Sequence, residues 1–192
     1  MPKYEGLALG ILKNTRVLCV LGVMTAMVIV LNRLLRVDIG FARFSLGSVC
    51  TVMAGIWFGP AGGALVGFLA DLLGSLLQGY APNPIISVAA ILWGVIPALM
   101  IRFVSGPRVR RIVVLCLSVY LTSIISTVIL NTMGLVLMLG YRFESIFPTR
   151  LIQWAVMTPV YCVLVCCLYF SPIYDFLQKN MPTYRQKSTV KE

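Results

Sequence analysis

The sequence has 192 residues, of which 59% are hydrophobic and only 11% are charged, and its mean hydropathy is +0.94. A soluble domain carries about 25% charged residues, so the composition excludes a soluble globular protein and predicts an integral membrane protein of long apolar helices. The net charge is +10; because the basic residues flank apolar runs, they indicate membrane topology rather than nucleic-acid binding.

The apolar runs predict an all-α membrane protein, a bundle of six transmembrane helices that forms a single domain over residues 1–192. Gly59-Pro60 separates the second and third runs as a tight turn, because glycine ends a helix and proline begins one. Residues 36–44 are predicted to be extended or partly helical, and 78–84 and 141–149 are predicted loops. The predicted spans are 16–35, 45–58, 61–77, 85–103, 112–139 and 150–170.

Six spans place both termini on the same side of the membrane, and the distribution of basic residues predicts which side it is. Eleven of the 16 lysines and arginines fall on the side of the termini, which we therefore predict to be cytoplasmic. The others are all arginines, whose planar guanidinium suits carboxylates. They are Arg33, Arg36, Arg43, Arg142 and Arg150.

The first span contains Gly22 and Ala26, two small residues four positions apart. This spacing lets another backbone approach the helix closely. The pattern is explained equally well by packing against another helix of the same chain and by docking of a separate membrane subunit.

Small residues and one carboxylate follow each other in the third span at strict four-residue spacing, so they share one helix face. Asp71 in this series is the only acidic residue inside a long apolar run. A charge within the membrane usually serves a function, so we expect Asp71 to face a ligand cavity; pairing with an arginine or capping of a neighbouring helix are the alternatives. The series is Gly59, Gly63, Gly67, Asp71, Ser75 and Gly79.

The outer ends of the spans bring further polar candidates to one membrane surface. Arg43 and Arg150 suit bidentate binding of a carboxylate or phosphate, or serve as anchors to lipid headgroups. Asn83 lies in an outer loop, and Asn131 and Gln153 either bind a heterocycle or tie helices together. We predict a ligand whose hydrogen-bond-donating end is buried and whose anionic end is outermost.

Several kinds of chemistry have no support in the sequence. It contains no histidine, no C-x-x-C pair and no G-x-x-x-x-G-K-[ST] loop. Histidine is the usual metal ligand and general base, so we expect no metal, no cofactor and no catalytic residue. Since the nucleotide-binding loop is missing, ATP hydrolysis is expected only from separate subunits.

Residues 15–172 resemble a known family through several motifs. Arg43-Phe-Ser followed by AGIWFGPAGGALVGFLADLLG over 54–74 is similar to the folate-type substrate-binding S components of energy-coupling factor (ECF) transporters. Asn131-Thr132, the P-T-R-L-I-Q segment over 148–153 and the Gly22/Ala26 pair also resemble elements of that family. The loop APNPIIS over 81–87 departs from the family pattern F-P-G-F-T-L-S.

The resemblance implies a high-affinity vitamin-binding subunit in the bacterial plasma membrane, with folate or a related pterin as the expected ligand. It also implies a transmembrane coupling subunit, docked through Gly22 and Ala26, and two cytosolic ATPases that supply the energy. An S component for another water-soluble vitamin and an ion-coupled secondary transporter are the alternatives. An intramembrane enzyme acting on lipid headgroups is disfavoured by the lack of histidine and of clustered carboxylates.

Overall fold

The computed structural model describes residues 15–35, 37–39, 42–79, 81–104, 107–140 and 142–171, with the backbone alone at 37–39, 42–44 and 139. Most of the described residues are helical. In chain order the elements are α1 (Thr15–Ile29), a π-helical turn (Val30–Leu34), β1 (Val37–Ile39), β2 (Ala42–Phe44), α2 (Gly47–Leu77), α3 (Pro84–Arg102), α4 (Arg108–Ser123), a second π-helical segment (Ile124–Leu130), α5 (Asn131–Leu139) and α6 (Phe143–Tyr169).

Five helical segments of the described chain are long and apolar enough to cross a membrane, with mean hydropathies from 1.6 to 2.4. Large apolar side chains cover their outer surface, as lipid requires; Leu34, Leu77 and Phe103 are each more than 70% exposed. The prediction of a multi-pass helical membrane protein is confirmed. The segments are Thr15–Leu34, Gly47–Leu77, Pro84–Arg102, Arg108–Met138 and Phe143–Tyr169.

Gly59 divides α2 into two halves, 47–58 and 60–77. Its φ of 85° and ψ of 174° are not helical, and a φ in this range favours glycine. A methyl group added to Gly63 would lie 2.7 Å from the Cα of Gly55, whereas eight residues of a straight helix span about 12 Å. The chain therefore reverses at Gly59, where the sequence predicts a turn, and the two halves pack side by side.

The second half of α2 packs backbone to backbone against α3. A methyl group on Gly63 would come within 2.7 Å of the carbonyl oxygen of Gly94, and one on Gly67 would overlap the carbonyl of Ala90. Such close approach is possible only where side chains are absent. The four-residue series therefore serves helix packing in this part of α2.

The apolar core lies between α1, both halves of α2, α3, α4 and α6. Its largest fully buried side chains include Leu21, Met53, Phe58 and Leu115. The polar groups described below are concentrated at one end of the bundle, where α1 ends and α3 begins.

Two predicted segments differ from the structure in part. Within 36–44, which was predicted to be extended or partly helical, β1 and β2 form an antiparallel pair in which Asp38 lies opposite Arg43 in the backbone register. The extended alternative is therefore the right one, and the all-α prediction is corrected there; β-branched and aromatic residues at alternate positions favour strands. Helix α6 begins at Phe143 rather than at residue 150. Pro148 lies inside this helix but removes only one hydrogen bond near its start, which the helix tolerates.

The long predicted span 112–139 also needs correction. Helix α4 begins at Arg108, and its regular path changes to a π-helical segment at Ile124 before α5 starts at Asn131. Single π-helical turns inside helices are frequent at functional sites because they re-aim side chains. Both π-helical segments of the described chain border the cavity described next.

Candidate functional site

A cavity of about 190 Å³ lies among the helices at the end of the bundle where α1 ends and α3 begins. Every long helical segment of the described chain contributes to its wall. The lining residues are Asn32, Arg33, Ser45, Ser48, Asp71, Ile86, Ala89, Ala90, Trp93, Thr127, Asn131, Leu135, Arg150, Gln153 and Tyr161.

A smaller cavity of about 70 Å³ adjoins the first one. The residues that line both cavities form the boundary between them, and Asp71 belongs to this boundary. Arg150, Gln153 and Asn131 line the larger cavity alone, so the carboxylate and the buried arginine occupy different parts of the wall. The shared residues are Asn32, Arg33, Ser48, Asp71, Ala90 and Trp93.

Four of the six ligand-binding candidates meet in the larger cavity although they are far apart in sequence. Asp71 comes from α2, Asn131 from the start of α5, and Arg150 and Gln153 from α6. Only the fold brings them together, because α2 is separated in the sequence from α5 and α6 by two other helices.

Asp71 is held by hydrogen bonding and by charge. Its Oδ2 accepts a 2.7 Å hydrogen bond from Ser87 Oγ, and its Oδ1 lies 3.8 Å from Nη2 of Arg33. Arg33 in turn donates from Nη1 to Gln78 Oε1 at 2.6 Å and from Nη2 to Ser75 Oγ at 3.4 Å. The arginine-partner alternative is therefore realised, and the pair also lines the cavity.

Arg150 and Gln153 form a second polar pair, one turn apart on α6. Arg150 donates from Nη1 to Gln153 Oε1 at 2.7 Å, and the two residues are only 5% and 8% exposed. Arg150 is buried inside the bundle wall rather than exposed to lipid headgroups, which argues against the headgroup-anchor alternative. This pair gives its part of the cavity a positive charge.

Aromatic rings and one amide complete the wall. Trp93 and Tyr161 meet edge to face with ring centroids 5.4 Å apart, and the Tyr161 hydroxyl donates to the Ser45 carbonyl at 2.7 Å. Asn131 contributes a buried Oδ1 that has no hydrogen-bond partner among the described residues. A flat ring would find an aromatic packing surface here, and the side-chain amide of Asn131 supplies hydrogen-bonding groups beside it.

Asn83 lies outside the cavity wall. Its Oδ1 accepts from the backbone N–H groups of Ile85 and Ile86 at 3.0 and 3.5 Å, which caps α3, and its Nδ2 donates to the Gly134 carbonyl at 2.9 Å. Arg43 belongs to β2, but its side chain lies outside the described part of the structure. Ligand contacts of these two residues stay predictions.

Gly22 and Ala26 lie on the exposed face of α1. A methyl group added to Gly22 would meet nothing within 4 Å. Since no other described residue contacts this position, the docking of a separate membrane subunit at this face stays a prediction.

Among the residues not predicted from the sequence as site residues are Asn32 and Arg33, which line the cavity, and Ser87, which donates a hydrogen bond to Asp71. The sequence interpretation counts Arg33 only as a charge that sets topology. The signal that would have found it is Asp71 itself, because a lone carboxylate within the membrane needs a cation or a hydrogen-bond donor nearby. Ser87 carries no distinguishing pattern in the sequence.

A family model and a curated relative match most of this chain. The model of the S component of the ECF-type riboflavin transporter matches residues 13–173. The folate transporter FolT of Clostridium novyi (strain NT) is 27% identical over 159 residues, which make up 80% of this chain and 88% of that protein.

Two solved structures are similar to the fold. The crystal structure of FolT bound with folic acid has a TM-score of 0.67 and 25% identity, and the match covers 81% of this chain and 93% of that one. The S component of a bacterial ECF transporter has a TM-score of 0.57 and 22% identity, with coverage of 84% and 96%, and shows the same fold. The chain therefore belongs to the ECF-type riboflavin transporter S component family, a family of transporter subunits rather than enzymes, and is a multi-pass protein of the bacterial plasma membrane.

Proposed function

We propose that this S component captures folate or a related pterin from outside the cell. The observation that carries the proposal is the set of charged groups in the cavity wall, where Arg33 holds the carboxylate of Asp71 in one part and the buried guanidinium of Arg150 lies in another. A pterin ring offers N–H donors, and the glutamate tail of folate offers carboxylates. The similarity to FolT proteins supports this ligand class.

The size of the cavity supports the ring of the ligand, rather than the whole ligand, as its occupant. Pockets that enclose a whole drug-sized ligand measure about 300 Å³ or more, whereas this cavity measures about 190 Å³. The ring would occupy the space beside Trp93 and Asp71, with Asn131 and Gln153 as further hydrogen-bonding groups. The anionic tail would extend past Arg150 towards Arg43, and Asn83 would hold the rim through its cap on α3.

The proposed topology has six spanning helices in one domain and cytoplasmic termini. The reversal at Gly59 supports two spans within α2, which makes the number of spans even. The basic residues of the turn after α3, among them Arg102 and Arg108, favour the cytoplasm for that end of the bundle. The cavity then opens towards the outside, where the vitamin is captured.

The energy for import would come from partner subunits. The exposed Gly22/Ala26 face of α1 supports docking of a transmembrane coupling subunit, because a helix can approach it closely. Two cytosolic ATPases would drive that subunit, and its movement would shift the S component between outward- and inward-facing states.

A binding titration tests the ligand. The purified full-length protein is titrated with folic acid and, separately, with riboflavin, while its tryptophan fluorescence is followed; Trp93 lies in the cavity wall. We expect saturable quenching by folic acid and a far weaker response to riboflavin. Tight binding of riboflavin alone would instead support the second candidate, a riboflavin S component, which the matching family model favours.

A transport assay separates the ATPase-coupled importer from an ion-coupled carrier. Uptake of folic acid by the complete complex in vesicles is measured with ATP present and the ion gradients collapsed. Uptake that continues supports the importer, and uptake that stops would contradict it.

A further inference from the structure

Asn83 joins two helices that form different parts of the cavity wall. Its Nδ2 donates a 2.9 Å hydrogen bond to the carbonyl oxygen of Gly134 in α5, while its Oδ1 caps the first turn of α3. The side chain is buried, and the bond to Gly134 joins residues 51 positions apart in the sequence. This bond therefore fixes the place of α3 against α5 rather than a local conformation.

The contact between Asn83 and α5 is close. A methyl group added to Gly134 would lie 3.0 Å from Cγ1 of Ile86 and 3.4 Å from Nδ2 of Asn83. Because the packing leaves no room for even a methyl group at this point, a displacement of α3 would either stretch the hydrogen bond or press Ile86 against α5. Gly134 follows the cavity residue Asn131 by three positions, about one helical turn, so the bond is anchored close to that part of the wall.

On its other side Asn83 determines where Ser87 lies. The carbonyl oxygen of Asn83 accepts a hydrogen bond from the Ser87 N–H at 3.0 Å and lies 3.2 Å from the Ser87 hydroxyl. That hydroxyl donates to Oδ2 of Asp71 at 2.7 Å. A connected series of hydrogen bonds therefore runs from α5 through Asn83 and Ser87 to the carboxylate in α2.

We propose that Asn83 is a positioning residue, which fixes the separation of the Asp71 and Asn131 parts of the cavity wall by holding α3 between them. The inference rests on the proposed function, because the binding of folic acid would need both parts in place. A bond that is already made before the ligand arrives lowers the cost of ordering the site on binding. It also gives the loop APNPIIS, which departs from the family pattern, a role that requires no contact with the ligand.

The test separates the cap of α3 from the bond to α5. Asn83→Ser keeps a good N-cap residue but removes the amide that reaches Gly134. Folic acid is titrated against the purified full-length wild-type protein and this variant, and we expect the dissociation constant to rise about three- to tenfold, the range of one lost hydrogen bond. The control is Ser123→Ala, which removes the 3.0 Å hydrogen bond between Ser123 and Thr158. This bond links α4 to α6 outside the cavity wall, so the control should bind folic acid as tightly as the wild-type protein.

A second background distinguishes positioning from direct contact with the ligand and from a general loss of stability. The Asn83→Ser substitution is repeated in an Asn131→Ala protein, in which binding no longer depends on the place of the Asn131 amide. We expect the substitution to raise the dissociation constant there by a factor at most about half as large as in the wild-type protein. A direct ligand contact or a general loss of stability would raise it by the same factor in both proteins.

The outcomes separate this inference from the proposed function. An unchanged affinity of the Asn83→Ser variant, an equal loss in both backgrounds, or an equal loss in the Ser123→Ala variant would refute the positioning role and leave the proposed function standing. If the wild-type protein does not bind folic acid, both are refuted. Should Asn83→Ser not fold, Asn83→Asp takes its place, since it keeps the shape and the cap and lacks the donating amide. Undiminished affinity in that variant would also refute the role of Asn83.

Discussion

The ion pair between Arg33 and Asp71 yields a quantitative prediction for stability. The charged atoms are 3.8 Å apart and the side chains are only 16% and 12% exposed, so at an effective dielectric constant of about 20 their attraction is about 4 kcal/mol. Asp71→Asn removes the charge and keeps the size of the side chain. Because Arg33 retains Gln78 and Ser75 as acceptors, we expect the free energy of unfolding to fall by about 2–4 kcal/mol.

A double-mutant cycle isolates this interaction. Arg33→Gln should destabilise by a similar amount, since it leaves the Asp71 carboxylate buried without a cation. In the double variant neither charge remains, so its loss should be smaller than the sum of the two single losses by at least about 1 kcal/mol. Thermal unfolding of the purified proteins in detergent measures all three, and Arg142→Gln, at an exposed position, serves as the control. Losses that add within about 0.5 kcal/mol would refute the coupling.

Three further predictions concern binding, packing and docking. In fluorescence titrations, Arg150→Ala should weaken the binding of folic acid about 10- to 100-fold, as expected for a lost charged hydrogen bond. The control variant Arg142→Ala should bind folic acid as tightly as the wild-type protein. Thermal unfolding of the Gly67→Ala variant should show a free energy of unfolding about 1–3 kcal/mol lower than that of the wild-type protein, because the added methyl group overlaps Ala90. Gly22→Leu should leave binding and stability unchanged and abolish co-purification with the coupling subunit.

Each of these has an outcome that contradicts it. Equal affinities of the Arg150→Ala and Arg142→Ala variants would remove Arg150 from the binding site. If Gly67→Ala were as stable as Gly22→Ala, whose added methyl group meets nothing within 4 Å, the close contact between α2 and α3 would not matter for stability. A Gly22→Leu variant that still co-purifies and transports would exclude this face of α1 as the docking site.

Most of the helices could be predicted from the sequence, whereas only some of the residues that line the cavity could. Long apolar runs identify spans because the membrane leaves few other structures possible. The segment 36–44 was predicted to be extended or partly helical, but the pairing of its two short strands was not predicted, because pairing depends on which residues come to lie opposite each other. The start of α6 at Phe143 was missed because the helix tolerates Pro148.

Site residues were predictable where a polar group interrupts an apolar run. Asp71 and Asn131 were found in this way, and the family resemblance added weight to Arg150 and Gln153. Asn32 was missed because it lies beside a charge at the end of a span, where polar residues are usual. Its amide lies against Gly47, a contact that only the folded chain reveals.

The repeat along the second half of α2 sets the rotational phase of the carboxylate. Gly67 meets the α3 backbone, and one turn later Asp71 meets Ser87. Each residue of a helix advances by about 100°, so one residue inserted between Gly67 and Asp71 would swing the carboxylate away from the cavity while the glycine contact persisted. Side-chain replacements at Asp71 leave this phase intact. A scaffold of this kind would change its ligand preference by substitution, but not by insertion or deletion within this helix.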